Sequence, residues 1–353
     1  AWFEAGNSVR DWLWAVTRTP NFYLAVGAHA VVMTSGNGVD WDLDVVPNSV
    51  TNAIFLGAGG ATNRFFAVGT AGAIIHSTNG VTWDAIEPRP TTNDLQGFTL
   101  RGNLFLASGA RGTILTSIDG ANWSKRATPT VNFLSSLATF PGGLVAVGDN
   151  GTILTSPDGT NWTSRSLAAT NWFYRVQYLN GVLLAVGENG AILSSLDGAN
   201  WTPQNSGASA WLTDAAFLDG TWFVVGTDGT VLTSTNLTAW SNAGTLTGKS
   251  LFGAATEGRQ FVTVGVEGII LRSQIVPDRT PISFVRYGRS SGRNLFLFGG
   301  QPDQQFLLER SPDLLDWLPD RDLEFIDGTG TLLFLEEWSF LVPQTFYRCR
   351  LLP

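Results

Sequence analysis

Asn132-Phe-Leu-Ser-Ser-Leu-Ala-Thr-Phe140, Gly143-Leu-Val-Ala-Val-Gly148, Gly151-Thr-Ile-Leu-Thr-Ser156 and Pro157-Asp-Gly-Thr-Asn-Trp162 follow one another as four short runs, each bounded by a turn signal. Pro-Gly-Gly, Asp-Asn-Gly and Asp-Gly supply the turns, because Gly tolerates positive φ and Asn or Asp hydrogen-bonds locally. The four runs read as one antiparallel meander. The unit recurs along the chain. A Trp returns at Trp2, Trp41, Trp83, Trp123, Trp162, Trp201 and Trp240, and a Val-Gly or Ser-Gly pair ends a later strand at Gly27, Gly69, Gly109, Gly148, Gly187, Gly226 and Gly265, at a spacing of 39 residues almost throughout. A period of about 40 residues carrying several short strands is the signature of a β-propeller with one four-stranded blade per repeat. The strands are nearly continuous apolar stretches, as expected for blades buried on both faces.

The ends of the array set its closure. The last unit reaches Ile269-Ile-Leu-Arg-Ser273 and lacks the Trp-containing strand, whereas Trp2 lies 25 residues before Gly27, the separation of Trp240 from Gly265. The segment Trp2 to Gly6 is therefore expected to supply the missing outer strand of the last blade and cover its open edge. This predicts an all-β, seven-bladed propeller over residues 1–276.

The string Gly151 to Trp162, with its copies at Gly112 to Trp123 and Gly190 to Trp201, resembles the Asp-box repeat of bacterial neuraminidases. It is most similar to non-enzymatic seven-bladed propellers related to the photosystem II assembly and stability factor, over residues 1 to about 275. That resemblance implies a protein-binding scaffold without a catalytic centre. In the box itself, Ser156 and Asp158 are expected to bond amides of their own turn while Trp162 packs on a neighbouring strand. The first and sixth copies, Ser35-Gly-Asn-Gly and Ser234-Thr-Asn-Leu, carry Asn in place of Asp, which a turn tolerates and a catalytic carboxylate does not.

A linker, Val276-Pro-Asp-Arg-Thr-Pro281, precedes strand-like runs in 282–353: Asn294-Leu-Phe-Leu-Phe-Gly, Gln305-Phe-Leu-Leu-Glu-Arg-Ser, Leu332-Leu-Phe-Leu and Thr345-Phe-Tyr-Arg-Cys-Arg. These predict a small β domain, a sandwich in form. Phe306 to Trp317 together with Phe346-Tyr-Arg348 resembles a C-terminal module of secreted proteins of Verrucomicrobia-type bacteria. Because the Ser311 to Trp317 spacing equals that of the blades, a decayed eighth repeat is the rival reading.

The 353 residues include 40 Gly, 14 Trp and two Lys (Lys125, Lys249), with a formal charge of −8. That balance disfavours nucleic acid, whose backbone calls for a basic surface. No apolar run of 18 residues is present to span a membrane. A start at Ala1 fits a processed secretory protein, so a secreted, periplasmic or cell-surface location is expected. Cys349 stands alone and forms no internal disulfide. The sequons at Asn122, Asn161, Asn200 and Asn236 read as by-products of the repeat.

Catalytic and metal signatures are sparse. His29 and His76 form no ligand motif, and no cofactor or metal is expected. A sialidase-like centre needs several Arg on the channel, and Arg175 is the one evident Arg in an inner strand; paired carboxylates of a glycoside hydrolase remain the third reading. The residues that break the repeat are the better guide. Twelve positions before each marker glycine stand Ala15, Gly97, Ser136, Arg175, Asp214 and Gly253, so Arg175 and Asp214, on adjacent blades, are expected to pair. Three positions further back stand Trp12, Asp94, Phe133, Trp172, Trp211 and Ser250. With the turns that carry Arg111, Asp149, Glu188, Asp228 and Glu267, this column makes an aromatic collar with acidic turns. Trp12, Phe133, Trp172, Trp211, Arg175 and Asp214 are accordingly the candidate binding residues, for a protein partner first and a carbohydrate second.

Overall fold

The computed structural model describes residues 2–273 except 6, 8, 62, 168–169, 245–246 and 258–259, with side chains from residue 4 onward. Beyond 273 it describes the backbone of six strands, between Ser283 and Leu351. The linker at 276–281, the run 312–317, and the side chains of Trp2 and Cys349 lie outside the described residues.

Seven four-stranded antiparallel sheets follow one another, and they are the expected blades. Six are consecutive meanders. In the fourth, Leu134–Phe140 pairs with Gly143–Gly148, which pairs with Ile153–Ser156, which pairs with Thr163–Ser164. The seventh is completed from the other end of the chain: Trp2–Glu4 pairs antiparallel with Ile270–Ser273, in the register Trp2 with Ser273 and Glu4 with Leu271. Ala5 N–H continues the ladder to Ile270 O at 2.9 Å. The clasp read from the sequence is present.

Burial explains the composition of the strands. The second strand of the first blade, Tyr23–Gly27, is buried at every position, as is Gly143–Gly148. Side chains from one blade meet those of the next: Leu24, Val26 and Val32 of the first blade pack with Phe55, Phe65 and Ile75 of the second, and the same layer recurs around the ring. The core is thus a series of seams between blades, which is why alternation is weak along each strand.

Each outer hairpin is held by its own side chains. Gly159 N–H donates to Ser156 Oγ at 2.8 Å, Thr160 N–H to Asp158 Oδ1 at 2.8 Å, and Trp162 Nε1–H to Gly159 O at 3.2 Å. The same bonds to the side-chain carbonyl form where Asn replaces Asp, at Asn37 and Asn236, and also at Asn79, a third Asn copy beyond the two singled out above. These side chains act on their own backbone, as the turn reading requires.

The chain divides into two compact units, Ala1–Gln274 and Ile275–Pro353. The second contains two three-stranded antiparallel sheets. One orders Ser283–Ser290, Arg293–Gly299 and Thr331–Glu337; the other orders Leu318–Glu324, Gln305–Ser311 and Phe346–Leu351. Neither is the consecutive four-stranded meander of a blade.

Candidate functional site

Every inner strand carries a β-bulge at the same place. Pairing with the second strand jumps from Leu13 to Ala15, from Leu95 to Gly97, from Leu134 to Ser136, from Phe173 to Arg175, from Leu212 to Asp214 and from Leu251 to Gly253; the second blade does the same between Phe55 and Gly57. The skipped residue has no ladder partner and is re-aimed. The skipped residues are Trp14, Leu56, Gln96, Ser135, Tyr174, Thr213 and Phe252.

The marker glycines are part of this device. A Cβ on Gly148 would lie 1.8 Å from Phe133 O, and one on Gly226 would lie 2.3 Å from Trp211 O. Only a residue without Cβ lets the second strand pass that carbonyl. The next amide then captures it: Asp149 N–H donates to Phe133 O at 3.0 Å and Thr227 N–H to Trp211 O at 2.9 Å. The glycine that reveals the repeat in the sequence therefore fixes the bulge that points a side chain at the channel mouth.

Six of the seven skipped residues line one cup of about 330 Å³ at that mouth. Trp14 and Phe252 stack at 4.5 Å and 12°, and Trp12 tilts against both at 5.6 and 6.0 Å. On the facing side Tyr174 lies 6.1 Å from Trp211. Trp12 is 47% exposed and Trp211 50%. These two collar residues are on the cup. The other two are not among its lining: Trp172 is half-buried and donates its indole N–H to Ser135 Oγ, and Phe133 packs on it at 5.7 Å. The sequence reading thus places Trp12 and Trp211 in the cup and misses Trp14, Tyr174 and Phe252, which stand beside the columns it follows.

Arg175 and Asp214 meet as expected, with Nε 3.1 Å from Oδ1. The reason lies in the neighbouring seams. Ser136 Oγ accepts the Val176 N–H of the next blade at 3.2 Å, and Asp214 Oδ2 accepts the Ala254 N–H at 2.9 Å. Arg175, at the equivalent place, has no acceptor to offer Ala215. Asp214 Oδ1 takes that amide instead at 2.8 Å, and also the Gln177 side-chain N–H at 2.6 Å. Asp214 is 1% exposed; burial raises its carboxyl above the ordinary carboxylate range, opposed by Arg175 and these donors. The pair borders a second space of about 330 Å³, the channel below the cup; Arg175 lines both spaces, Asp214 only the channel.

Arg175 is not the one Arg of the inner strands. Arg18 and Arg101 end the first and third of them, away from the cup; Arg18 pairs with Glu257 and Arg101 donates to Pro157 O. The turn residues also sort differently from the expected set. Arg111, Asp228 and Glu267 occupy a left-handed position with φ of 55–56°, whereas Asp149 and Glu188 stand one residue earlier, before Asn150 and Asn189. Glu188 accepts the Trp172 N–H at 3.1 Å and the Tyr174 hydroxyl at 3.4 Å, and burial together with that carboxylate raises the Tyr174 pKa. Glu267 is paired to Lys249 at 3.0 Å. His29 is exposed and lies 2.7 Å from Asp11, while His76 sits in the third strand of the second blade, 6.1 Å from the Phe66 ring. Among the described residues no cluster of three or more His, Cys, Asp or Glu has metal-binding geometry.

No protein-family model matches this chain, and no curated protein matches it. Solved structures do. YCF48 bound to D1 peptide is 19% identical with a TM-score of 0.65, the match covering 77% of this chain and 94% of that one. YCF48 from Cyanidioschyzon merolae is 16% identical, with a TM-score of 0.65 and coverage of 77% and 98%. A catalytically inactive virginiamycin B lyase from Staphylococcus aureus with quinupristin is 12% identical, with a TM-score of 0.68 and coverage of 77% and 98%. The likeness is one of fold. At these identities a shared propeller architecture follows, and it is common to a protein bound to a peptide and to a lyase.

Proposed function

We propose that this protein is a non-enzymatic, secreted or cell-surface scaffold that binds another protein through a peptide segment seated in the cup. One observation carries this reading: six of the seven bulges contribute to a single asymmetric aromatic cup, with Trp12 and Trp211 about half exposed. Large rings left open to solvent in a concave site are the usual anchors of recognition. A lectin built from repeats would instead present equivalent polar pockets around the ring, and the skipped residues Trp14, Leu56, Gln96, Ser135, Tyr174, Thr213 and Phe252 do not repeat. The YCF48 structure with its D1 peptide supports peptide binding by a propeller of this kind. The secreted location rests on the resemblance of the C-terminal run to modules of secreted proteins, and the sandwich form of that unit is part of the same reading.

Carbohydrate binding is the second reading, favoured by the open faces of the same two Trp rings, which suit sugar stacking. Probing a peptide array and a glycan array with the full chain separates the two. Peptide binding that Trp211→Ala weakens by about 1–3 kcal/mol is the expected result. Binding confined to glycans would replace this reading by the second.

A further inference from the structure

We propose that the cup receives the free C-terminal carboxylate of a peptide whose last residue is large and apolar, with Arg175 as the carboxylate's partner. The inference rests on the peptide-binding reading above and adds the chemistry of the ligand.

Five rings stand in the walls of the cup, Trp12, Trp14 and Phe252 in one group and Tyr174 and Trp211 in another, with Leu56 and Val266 adding apolar surface. Arg175 is the one charged side chain among the described residues that line it. Its guanidinium approaches Asp214 through Nε, and among the described residues its two Nη atoms donate no hydrogen bond. Asp214 does not compete for a ligand, because it is 1% exposed and its oxygens are taken by the N–H groups of Ala215, Ala254 and Gln177. Arg175 therefore gives the cup its charged lining group, with Nη donors that no described residue takes. The Gln96 amide, also on the cup, likewise makes no hydrogen bond among the described residues.

Apolar walls and a planar cation together select a ligand that carries an apolar group and an anion close to each other. A guanidinium fork matches a carboxylate bidentately. A chain terminus meets both demands within one residue, whereas an internal Asp or Glu brings the charge without the apolar group. About 330 Å³ is at the small end for ligand sites and suits the end of a chain. The rest of the peptide has a way out: Trp211 also lines a neighbouring hollow of about 640 Å³, bordered by Gly207, Ser209, Thr227 and Asp228.

The test is calorimetric titration of the full chain with acetyl-Gly-Gly-Gly-Phe as the free acid, the same peptide as its amide, and acetyl-Gly-Gly-Gly-Gly as the free acid. The Phe acid is expected to bind about tenfold or more tighter than its amide, as a charge-assisted pair requires. It is also expected to bind tighter than the Gly acid, and to lose affinity in Trp211→Ala. In Arg175→Gln/Asp214→Asn, which replaces the ion pair by a neutral one, the acid should fall to the level of the amide. The acid–amide comparison uses the unaltered protein, so it decides whether or not that variant folds. Equal binding of acid and amide, both lost in Trp211→Ala, would overturn the carboxylate inference and leave peptide binding at the cup intact. Binding indifferent to Trp211→Ala would move the peptide off the cup and overturn the inference. No binding by any peptide overturns the inference, and with silence on the peptide array the underlying reading as well.

Discussion

The outer hairpins and the inner bulges both recur around the ring, but only the hairpins repeat their residues. Ser156, Asp158, Gly159 and Trp162 have close counterparts in five other blades, and in every set the Ser hydroxyl and the Asp or Asn side chain accept the same amides of their own turn. At the bulge the backbone is equally constant, while its residue changes from Trp14 to Leu56, Gln96, Ser135, Tyr174, Thr213 and Phe252. A residue that satisfies its own turn is constrained by the fold alone, so one good solution serves every blade. A residue with no ladder partner is free of that constraint. Variation on a constant backbone is what a scaffold offers for recognition. The comparison teaches that the repeated residues build the ring and the unrepeated ones give it a specific mouth.

The strongest challenge to this division is at a hairpin. Trp162 is 8% exposed and packs with Leu106, Leu144 and Leu154 across a seam, so Trp162→Ala should cost about 3–5 kcal/mol in thermal or denaturant unfolding while peptide affinity is unchanged at a temperature where the variant is folded. A change in affinity there would blur the comparison.

The Arg175–Asp214 pair sits on the boundary, since it closes a seam and through Arg175 also borders the cup. Asp214→Ala strips acceptors from the Ala215 and Ala254 amides and leaves Arg175 unpaired, a loss of about 3 kcal/mol or more. The double Ala variant should be about 1–3 kcal/mol more stable than the sum of the single changes predicts. Strict additivity, measured by urea unfolding, would mean that the two side chains are not coupled.

Asp44 marks where the hairpin pattern itself is altered. Trp83 Nε1–H, which in later copies would stay in its own turn, reaches Asp44 Oδ2 of the preceding blade at 3.2 Å. Burial pushes the Asp44 carboxyl up to about 7. A folded-state pKa raised above the unfolded value of about 4 favours the protonated form, so stability should fall as pH rises from about 4 to about 7 and level off above. Asp44→Asn should remove that slope and gain on the order of 1–2 kcal/mol at pH 8, discounted for partial solvation. Thermal melts across the range read it out; an unaltered slope would assign it to other groups.

The smallest effect belongs to Asp158, exposed in its turn. Hydrogen bonds from Thr160 and Asn161 hold its carboxyl below the usual range, so its contribution is present above about pH 4 and is lost as pH falls toward its folded value. Asp158→Asn should leave the melting temperature at pH 7 nearly unchanged, because Asn37, Asn79 and Asn236 already serve that turn. A clear drop in melting temperature would give the carboxylate a role beyond the turn.

The ring is legible in the sequence because its markers are local: a glycine that lets a carbonyl pass, a Ser and Asp that close a turn, a Trp that fills a seam. The clasp at Trp2 is legible from an unpaired repeat end. The cup is legible only in part. Counting back from the glycines leads to the columns of Ala15 and Trp12, and the bulge lies between them. A strand counted as an unbroken ladder alternates without exception, so the residue that a bulge releases has no place in the count. Trp14, Tyr174 and Phe252 share one offset from Gly27, Gly187 and Gly265, and that aromatic coincidence is the available signal. The Arg175–Asp214 pair is readable because two polar, charged residues interrupt a column of small ones at adjacent repeats.

The division between ring-building and recognition residues is tested most directly by measuring affinity for the best array peptide and melting temperature, side by side, for Trp12→Ala/Trp211→Ala and for Trp162→Ala. The double cup variant should lose at least about tenfold in affinity with its melting temperature nearly unchanged, and the hairpin variant should show the reverse. A cup variant that keeps full affinity, or a hairpin variant that loses it while folded, would contradict the account.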